Sequence, residues 1–496
     1  MRTTPRAQLA SRFCSVRIVL GALMCVFAIA QGSRAQNAEP LSRVKKIYVD
    51  SLGDGKGAAA MRERLADRLR ASRKLHVVAN GRDADAILKG TGRIWVTGYN
   101  SLSIHGSSGN RQPVFDGFLS ADVEDKTGTT IWSYLVTPSK FSVKRITTDL
   151  ADQLVQKLLE AIEQEGREAG STAAKENPAV IALRGAGATF PWPIYQKWFE
   201  AYQQKSPEVR IGYDPVGSES GIQLLSHGEV DFAGSDMPLS DQAMADSKVR
   251  FVQFATVLGA VVPIYNLQSV KQFLNFTPEA LAGIYLGTIK RWNDPLIQAS
   301  NPGVSLPDSE IVVVHRSDGS GTTFVWTDYL AKVSPEWKQR VGAASARISW
   351  PLGRGAERND GVAALVRRTL NSIGYVELIY AIQHELRYGA VRNGAGNFVK
   401  ADLASVTAAA GGMGESGKTD FRVSITNAPG KDAYPISTFT WVLLPEEGER
   451  GPKRSAVVEF LRWALTSGQR QCASLGYAPL PAEVANEELR ALSSLK

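Results

Sequence analysis

Three short segments combine glycines and hydroxyl side chains with a helix that follows directly, an arrangement that can hold a small anion. The first, residues 185–193, precedes a run of aromatic residues at helical spacing. The second, residues 217–221, precedes a predicted helix that begins with residues 222–225. The third, residues 316–324, follows the apolar strand 311–314 and begins with an arginine. Glycine lets the backbone approach a ligand closely, and the first N–H groups of a helix are free to bind one. The segments therefore predict an anion site built from helix N-termini.

Individual side chains in these segments add specific contacts. Thr189 can offer its hydroxyl, and Thr189 and Phe190 can offer backbone N–H groups. Arg316 carries a planar guanidinium that can grip two oxygen atoms at once. Each segment also has a purely structural interpretation, because glycine-rich turns are common and Ser218 is a good helix N-cap. Three such segments in one region, one of them with an arginine, favour the anion site.

Two carboxylates indicate which anion would fit. Asp236 follows residues 230–235, and Asp318 lies inside the third segment. A carboxylate repels a fully ionised anion such as sulfate, but it accepts a hydrogen bond from an anion that carries a proton. The sequence therefore predicts a phosphate or arsenate with at least one proton. Asp318 is expected to orient Arg316, so Asp236 is the preferred proton acceptor, with a helix cap ahead of Met237 as its structural alternative.

From about Ile181 to the C-terminus, the chain resembles the periplasmic phosphate-binding proteins of the phosphate-specific ABC importer. The segments that carry the resemblance are residues 185–191, 230–240, 287–295, 318–324, 359–362 and 372–377. The resemblance implies a phosphate-binding domain at residues 181–496 with a type II-like periplasmic binding protein fold, in which two α/β lobes close over the ligand. Lobe 1 would comprise residues 181–262 and 438–496, and lobe 2 residues 263–437. The chain would cross between them near residues 261–264 and 434–438.

The resemblance also implies a role for particular residues. The phosphate-binding residues would be Thr189, Phe190, Ser218, Asp236, Arg316, Ser320, Gly321 and Thr322. Asp318 would orient Arg316. The sequence departs from the family pattern at Glu219, a carboxylate expected to face solvent, and at Trp192, which is expected to serve packing. No cofactor and no metal is expected, because hydrogen-bond donors would hold the anion and the five histidines show no metal-ligand spacing.

Residues 40–166 predict a separate small α/β domain with the element order β-α-β-β-β-β-α. Met61, Leu65 and Leu69 recur at the spacing of one helix face. Residues 118–123 and 130–136 alternate apolar and polar around a turn, as in a β-hairpin.

The last helix of this domain has an apolar face formed by Leu150, Leu154, Leu158 and Ile162. Thr147 or Thr148 is expected to cap it. Residues 83–90 weakly resemble envelope domains of the curli-secretion and Tol amino-terminal type, which implies an accessory or interaction role. Residues 167–180 lack apolar periodicity and are expected to be a linker.

The amino-terminal 35 residues have the features of a cleavable signal peptide. They contain five arginines and no acid, an apolar run at residues 18–30, and small residues at Ser33 and Ala35. The run is shorter than the roughly 20 residues that span a bilayer as a helix. Removing the five arginines lowers the net charge from +8 to +3, too small a surplus to indicate nucleic acid. Cys472 would then be the only thiol, so a periplasmic protein without an intrachain disulfide is expected.

These observations predict a protein that binds inorganic phosphate in the periplasm and hands it to a membrane ABC importer. An enzyme with Ser320 as its nucleophile is disfavoured, because the loop around Ser320 holds no histidine or lysine base. A phosphate sensor or an envelope scaffold remains open as the alternative, since sensing and import need the same pocket. In that alternative, residues 40–166 would dock onto another envelope protein.

Overall fold

The computed structural model describes residues 40–495, except residues 102–110, 129, 139–142, 171–179, 248, 412–420 and 448–450. The expected signal peptide at residues 1–35 and most of the expected linker lie outside the described residues. Within the part of the chain that is described, no helix combines the length and the apolar character needed to cross a bilayer.

The amino-terminal region, up to residue 170, has the element order that the sequence predicts. Its elements are β1 (Lys46–Val49), α1 (Ala58–Ser72), β2 (His76–Val77), β3 (Ala86–Ser101), β4 (Arg111–Asp125), β5 (Thr130–Val136) and α2 (Val143–Gly170). The strands form one sheet in the order β2-β1-β3-β4-β5, with β1 parallel to β2 and β3 and the other pairs antiparallel. The predicted hairpin is confirmed as the β4–β5 pair.

Helix α2 differs from the prediction at both ends. It begins at Val143, so Thr147 and Thr148 lie inside the helix and the predicted N-cap is wrong. It continues to Gly170, into the stretch expected to be a linker. The apolar face of α2 packs with α1 in a small core of its own. Because this packing stabilises the helix, α2 can continue past its apolar face into polar residues whose sequence shows no helical periodicity.

Residues 181–495 contain the remaining elements. The strands are β6 (Ile181–Gly187), β7 (Val209–Asp214), β8 (Phe232–Ser235), β9 (Phe251–Asn266), β10 (Asn275–Phe276), β11 (Val312–Arg316), β12 (Arg354–Ala356), β13 (Ser372–Glu377), β14 (Arg387–Tyr388), β15 (Ala390–Arg392), β16 (Phe398–Val399) and β17 (Ser437–Pro445). The helices are α3 (Trp192–Lys205), α4 (Ser218–Ser226), α5 (Asp241–Asp246), α6 (Pro278–Leu286), α7 (Pro295–Ala299), α8 (Gly321–Val333), α9 (Pro335–Arg340), α10 (Arg358–Arg368), α11 (Leu378–Gln383), α12 (Leu403–Gly411), α13 (Pro452–Ala464) and α14 (Ala482–Ser493).

Strand β9 joins two half-sheets. Its residues 251–260 pair with β17, and its residues 261–266 pair with β13. The sheet runs in the order β12-β11-β13-β9-β17-β8-β6-β7. We call the part built on β6, β7, β8 and β17 the first lobe, and the part built on β11, β12 and β13 the second lobe. The change of partner lies where the sequence predicts a crossing, and the two-lobed α/β fold is confirmed.

Aromatic side chains fix the two longest helices that begin at the cleft between the lobes. In the first lobe, Tyr195 of α3 packs edge-on against Tyr213 of β7, with ring centroids 5.7 Å apart. In the second lobe, Trp326 of α8 stacks on Tyr375 of β13, with ring centroids 5.0 Å apart. Such ring pairs restrict helix position because the contact depends on the orientation of both planes. The N-termini of α3 and α8 are therefore held at defined places.

Candidate functional site

The N-terminal ends of α3, α4 and α8 meet in the cleft between the two lobes. A Cβ atom added to Gly321, the first residue of α8, would lie 2.4 Å from Ser218 Oγ and 2.8 Å from Asp236 Oδ2. Glycine at this position therefore allows α8 to approach α4 and the loop after β8. The structure buries all eight residues that the sequence predicts for the site: Thr189, Phe190, Ser218, Asp236, Arg316, Ser320, Gly321 and Thr322.

The second segment places Ser218 inside its helix. Helix α4 begins at Ser218 with Gly217 as the N-cap, so the alternative interpretation of Ser218 as a cap is wrong. Gly217 has a φ of 95°, and a Cβ there would lie 2.7 Å from the carbonyl oxygen of Gly319. The Ser218 hydroxyl oxygen accepts the N–H of Asp236 at 3.3 Å. Its own proton therefore remains available to a ligand.

Arg316 lies at the end of β11 and is held by Asp318. The Asp318 carboxylate accepts Nε at 2.7 Å and Nη2 at 2.5 Å. Burial lowers the pKa of Arg316, but the charge and the hydrogen bonds of Asp318 act together with the nearby Tyr375 and Asp360 and leave that pKa above its ordinary value. The third nitrogen, Nη1, is buried and has no hydrogen-bond partner among the described residues. Since a buried charged N–H group without a partner is costly, Nη1 marks a position where an anion oxygen would fit.

Asp236 follows β8 and faces the same space. The hydroxyl of Thr440, on β17, donates to Asp236 Oδ1 at 2.9 Å. The helix-cap alternative for Asp236 is wrong, because the next helix begins only at Asp241. Burial raises the pKa of Asp236 to about 7, against the opposing effects of the Thr440 hydrogen bond and the Arg316 charge. Near neutral pH this carboxyl group can therefore share a proton with a partly protonated anion.

Helix α8 leaves N–H groups open to a ligand. Its N-cap, Ser320, accepts the N–H of Thr323 at 3.2 Å and donates its own N–H to the Ala346 carbonyl at 3.0 Å. The first N–H groups of a helix have no intrahelical partner. Those of Gly321 and Thr322 thus remain for a ligand, and the helix dipole adds positive potential.

Two tyrosines hold the turn that precedes α3. The hydroxyl of Tyr380, from the second lobe, donates to the carbonyl of Thr189 at 2.6 Å. The hydroxyl of Tyr477 donates to the carbonyl of Phe190 at 2.5 Å. Both tyrosines are buried. The turn with Thr189 and Phe190 is therefore fixed against both lobes.

Sequence reasoning gave no role to two residues that contact the site. Asn359 Nδ2 donates to Thr189 Oγ1 at 2.9 Å and to Thr322 Oγ1 at 3.2 Å. Thr440 contacts Asp236, as described above. Asn359 opens a segment that matches the family, but its distance along the chain from either threonine carries no information on proximity. Thr440 lies within an apolar strand that has no motif.

The two departures from the family pattern lie beside the cleft. Glu219 Oε2 pairs with Arg347 Nε at 3.0 Å, and 35% of the Glu219 side chain is exposed. An arginine thus offsets the extra charge near the surface. Trp192 stacks on Tyr213, with ring centroids 5.6 Å apart, which agrees with a packing role.

Comparison with known proteins places these features in a wider group. A family model described as a PBP superfamily domain matches residues 169–467. The phosphate-binding protein PstS of Xylella fastidiosa (strain Temecula1) is 41% identical over 307 residues, which cover 62% of this chain and 83% of the relative. PstS of Methanocaldococcus jannaschii is 37% identical over 345 residues, which cover 65% of this chain and 88% of the relative.

A solved structure shares the fold of the same part of the molecule. It is described as a high affinity periplasmic phosphate-binding protein (PfluDING) bound with phosphate. The likeness covers 63% of this chain and 93% of that chain, with a TM-score of 0.50 and 21% sequence identity. At this identity the likeness concerns the fold.

Proposed function

The chain belongs to the PBP superfamily and, within it, to the PstS family of phosphate-binding proteins, and from this premise we propose that residues 181–496 bind inorganic phosphate and deliver it to an ABC phosphate importer. One observation carries the proposal. Arg316 Nη1 is buried without a partner among the described residues, at the point where three helix N-termini converge. A bound oxyanion would satisfy both the charge and the hydrogen bond there.

The surrounding groups would replace the hydrogen bonds to water that the anion loses on binding. Arg316 supplies the charge, and Asp318 orients it. The remaining donors are the hydroxyl and backbone groups of Thr189, Phe190, Ser218, Ser320, Gly321 and Thr322. Because these donors are preorganised by helix ends and caps, binding requires little rearrangement within each lobe.

Asp236 gives the site its preference among oxyanions. A phosphate with at least one proton can donate to the Asp236 carboxylate, whereas sulfate at neutral pH has no proton to donate. Burial of an unpaired carboxylate against sulfate is unfavourable, which disfavours the wrong ligand without any steric block. The site is therefore suited to phosphate and to other oxyanions that keep a proton.

Binding without catalysis fits the loop around Ser320. The Ser320 oxygen already accepts the N–H of Thr323 as the cap of α8. Activation of a serine requires a base within hydrogen-bond reach of its oxygen. We therefore expect no release of phosphate from a monoester such as p-nitrophenyl phosphate, and steady release that is lost in Ser320→Ala would contradict this function.

Delivery to an importer places the protein outside the cytoplasmic membrane. Residues 1–35 have the features of a signal peptide, and the proposed location is the periplasm. The membrane partner is the permease of an ABC importer. The amino-terminal domain could add a contact with another envelope protein, and such a contact would also serve the alternative roles of sensor or scaffold.

The decisive experiment is a calorimetric titration of residues 36–496 after bound phosphate has been removed by unfolding and refolding. We expect one phosphate per chain and no heat with sulfate under the same conditions. Absence of phosphate binding by the refolded protein would refute the proposed function. Equal binding of sulfate would leave an anion site but refute the role given to Asp236.

A further inference from the structure

Asn359 lies between the two lobes, directly after a residue with a strained backbone conformation. It is the second residue of α10, and it is fully buried. The residue before it, Arg358, has a φ of 61°, in the left-handed region that is unfavourable for residues other than glycine. Asp318 Oδ1 accepts the Arg358 N–H at 3.2 Å and helps to hold this conformation. Strain of this kind persists where the surrounding contacts require it.

The hydrogen bonds of Asn359 fix which side of its amide is the donor. Its Oδ1 accepts the backbone N–H of Glu377 at 3.1 Å, so the other atom must be the nitrogen. The two protons of Nδ2 then point to Thr189 Oγ1, in the first lobe, and Thr322 Oγ1, in the second lobe. The amide therefore has a partner for both of its protons and for its oxygen.

This arrangement determines what the two threonine hydroxyls can do. A hydroxyl group has one proton and two lone pairs. Because a lone pair of each threonine already receives a proton from Asn359, the threonine proton must point elsewhere. Thr189 lies in the turn before α3 and Thr322 in the first turn of α8, so both hydroxyls lie at helix N-termini that meet in the cleft. Both hydroxyls therefore act as donors toward a ligand.

We propose that Asn359 is a positioning residue of the phosphate site, a role that rests on the function proposed above. Its amide sets the polarity of two donors, one from each lobe, and thereby joins the lobes around the ligand. Asp236 accepts a hydrogen bond from a protonated oxygen of the ligand. The hydroxyls of Thr189 and Thr322, oriented by Asn359, donate to ligand oxygens that are unprotonated. The two devices together match an anion that carries both kinds of oxygen.

A double-mutant cycle tests this role in the full chain. In the parent, Thr322→Val should raise the phosphate Kd roughly tenfold, the value of one hydrogen bond to a charged ligand. In the Asn359→Ala background, the same change should raise Kd less than about threefold, because the hydroxyl is no longer oriented. Equal effects in the two backgrounds would overturn the proposal. If the parent protein itself does not bind phosphate, that result refutes the proposed function and does not bear on the role of Asn359.

A second variant separates orientation from folding. Asn359→Asp keeps the oxygen that accepts the Glu377 N–H, but it replaces the donor by an acceptor. Both threonine protons should then turn toward the new carboxylate, so binding relative to the parent should be weakest at pH 8 and recover toward pH 5. The unfolding temperature of Asn359→Asp without phosphate shows whether the variant is folded. If that temperature equals the parent's and the pH dependence of phosphate binding is also the parent's, the proposal is contradicted.

An independent observation concerns β4 of the amino-terminal sheet, whose residues 117–125 are buried on both faces. On β4, Leu119, Ala121 and Val123 pack against the helices of the small core. The alternating residues Ser120 and Asp122 point to the other face and are also buried. An antiparallel sheet with helices on one face commonly exposes the other face to water. Here Phe118 and Leu135 instead join the core of the binding region.

The contacts of this domain reach both lobes. In the second lobe, His384 Nδ1 lies 3.8 Å from Asp122 Oδ2, and both side chains are buried. Burial lowers the pKa of His384 to about 4, so this contact is not an ion pair at neutral pH. In the first lobe, Glu200 of α3 pairs with Lys157 of α2 at 3.5 Å. A cavity between the amino-terminal domain and the lobes is lined by residues of β5 and by Thr189 of the proposed site.

We infer that the amino-terminal domain clasps the two lobes in the closed arrangement and slows the release of phosphate. Opening of the cleft moves one lobe relative to the other, so a rigid domain in contact with both must lose contacts with one. That loss adds to the free energy of opening. The domain therefore regulates the proposed site through lobe motion and not through contact with the ligand.

A charge swap in the full chain tests the clasp. Lys157→Glu places two carboxylates together and should speed phosphate dissociation about threefold or more, the range of one surface ion pair turned repulsive. The double variant Lys157→Glu, Glu200→Lys should restore the parent rate. The measurement is stopped-flow release at pH 8.5, because burial raises the pKa of Glu200 to about 7.

The matched control is Lys74→Glu, which disrupts an ion pair with Glu163 inside the amino-terminal domain. It should leave the dissociation rate unchanged. Release at the parent rate in Lys157→Glu, or equal acceleration in the control, would overturn the clasp. A parent that binds no phosphate in the same apparatus would refute the proposed function instead.

Discussion

Arg316 should dominate affinity at the scale of single residues. Arg316→Ala removes the buried guanidinium and leaves Asp318 without its partner. We expect phosphate affinity to fall by about 100-fold or more, which corresponds to roughly 3 kcal/mol for a buried charged hydrogen-bond donor. Arg347→Ala serves as the control, because that arginine pairs with Glu219 near the surface and is 59% exposed. Calorimetric affinities within threefold of the parent for Arg316→Ala would show that the site lies elsewhere.

Asp236 should govern the choice between phosphate and sulfate. At pH 8.5, above its pKa of about 7, the Asp236 carboxylate only accepts hydrogen bonds. Asp236→Asn replaces it by an amide that can also donate, so sulfate binding should appear at this pH. Asp231→Asn is the control at the opposite end of β8, where the carboxylate accepts the Arg184 N–H. Competition titrations with both anions measure the effect. Sulfate rejection that is as strong in Asp236→Asn as in the parent would remove this role from Asp236.

The same carboxyl group predicts a pH dependence of stability without phosphate. Burial raises the pKa of Asp236 from 3.8 to about 7, so between these values the folded protein holds a proton that the unfolded chain has lost. The free energy of unfolding should therefore fall as pH rises from 4 to 7. Asp236→Asn should remove part of this fall, as measured by urea unfolding at pH 4.5 and 7.5. An identical pH dependence in the variant would show that other groups cause it.

The local chemistry of the site could be predicted from the sequence, whereas its distant contacts could not. Glycines, hydroxyls and an arginine within short segments report on local backbone needs, and all the residues chosen on that basis are buried at the cleft. Thr440 and Asn359 reach the site from chain positions 204 residues from Asp236 and 170 residues from Thr189. No local pattern encodes such a meeting, because it depends on how the whole sheet is assembled.

At the scale of elements, helix α4 depends on a close approach to β6. A Cβ added to Gly221 would lie 2.3 Å from the Cα of Gly187, a backbone atom that cannot turn away. Gly221→Ala should shift α4 with Ser218, lower the free energy of unfolding by about 1–3 kcal/mol and weaken phosphate binding. Urea unfolding and calorimetry measure the two effects.

Helical Gly361 provides the matched control for this substitution. A Cβ there would meet only the Ala356 side chain at 3.8 Å, an ordinary contact. Gly361→Ala should be neutral or slightly stabilising, by up to about 1 kcal/mol, because alanine favours a helix. If both substitutions have the same effect, the close approach of α4 to β6 is not what requires glycine.

Element type was easier to predict than element ends. The apolar spacing of Met61, Leu65 and Leu69 identified α1, and all three are fully buried. The ends of α2 were predicted wrongly, and α8 begins at its glycine loop and not after it. Spacing reports where packing occurs, but a helix also continues through polar residues and through loop residues whose N–H groups serve a ligand.

At the scale of the whole molecule, the shared strand β9 should make unfolding cooperative. Residues 251–260 of β9 complete the first lobe and residues 261–266 the second. Phe118 and Leu135 connect the amino-terminal domain to the same core. We expect a single calorimetric transition for residues 36–496. Phosphate at about 100 times its Kd should raise the free energy of unfolding by about 2.7 kcal/mol. Two separated transitions, with only one sensitive to phosphate, would contradict this coupling.

The amino-terminal domain shows the limit of prediction at this scale. Its own fold follows from its periodicity, and its element order is confirmed. Its position against both lobes could not be predicted, since Ser120 and Asp122 appear in the sequence as the solvent face of a strand. Polar residues on an alternating strand do not report whether water or another domain faces them.

The position of β17 has a consequence for the order in which the protein can fold. Residues 437–445 lie between β8 and β9 in the finished sheet, although both of those strands precede them by about 170 residues or more. A chain that emerges from its N-terminus cannot complete the first lobe until β17 has emerged. Until then β8 and β9 expose unpaired edges, which hold the chain in an incomplete state and attract other strands. For the proposed periplasmic location, this order would delay folding until the C-terminal residues have emerged, and the chain would depend on protection from aggregation during that interval.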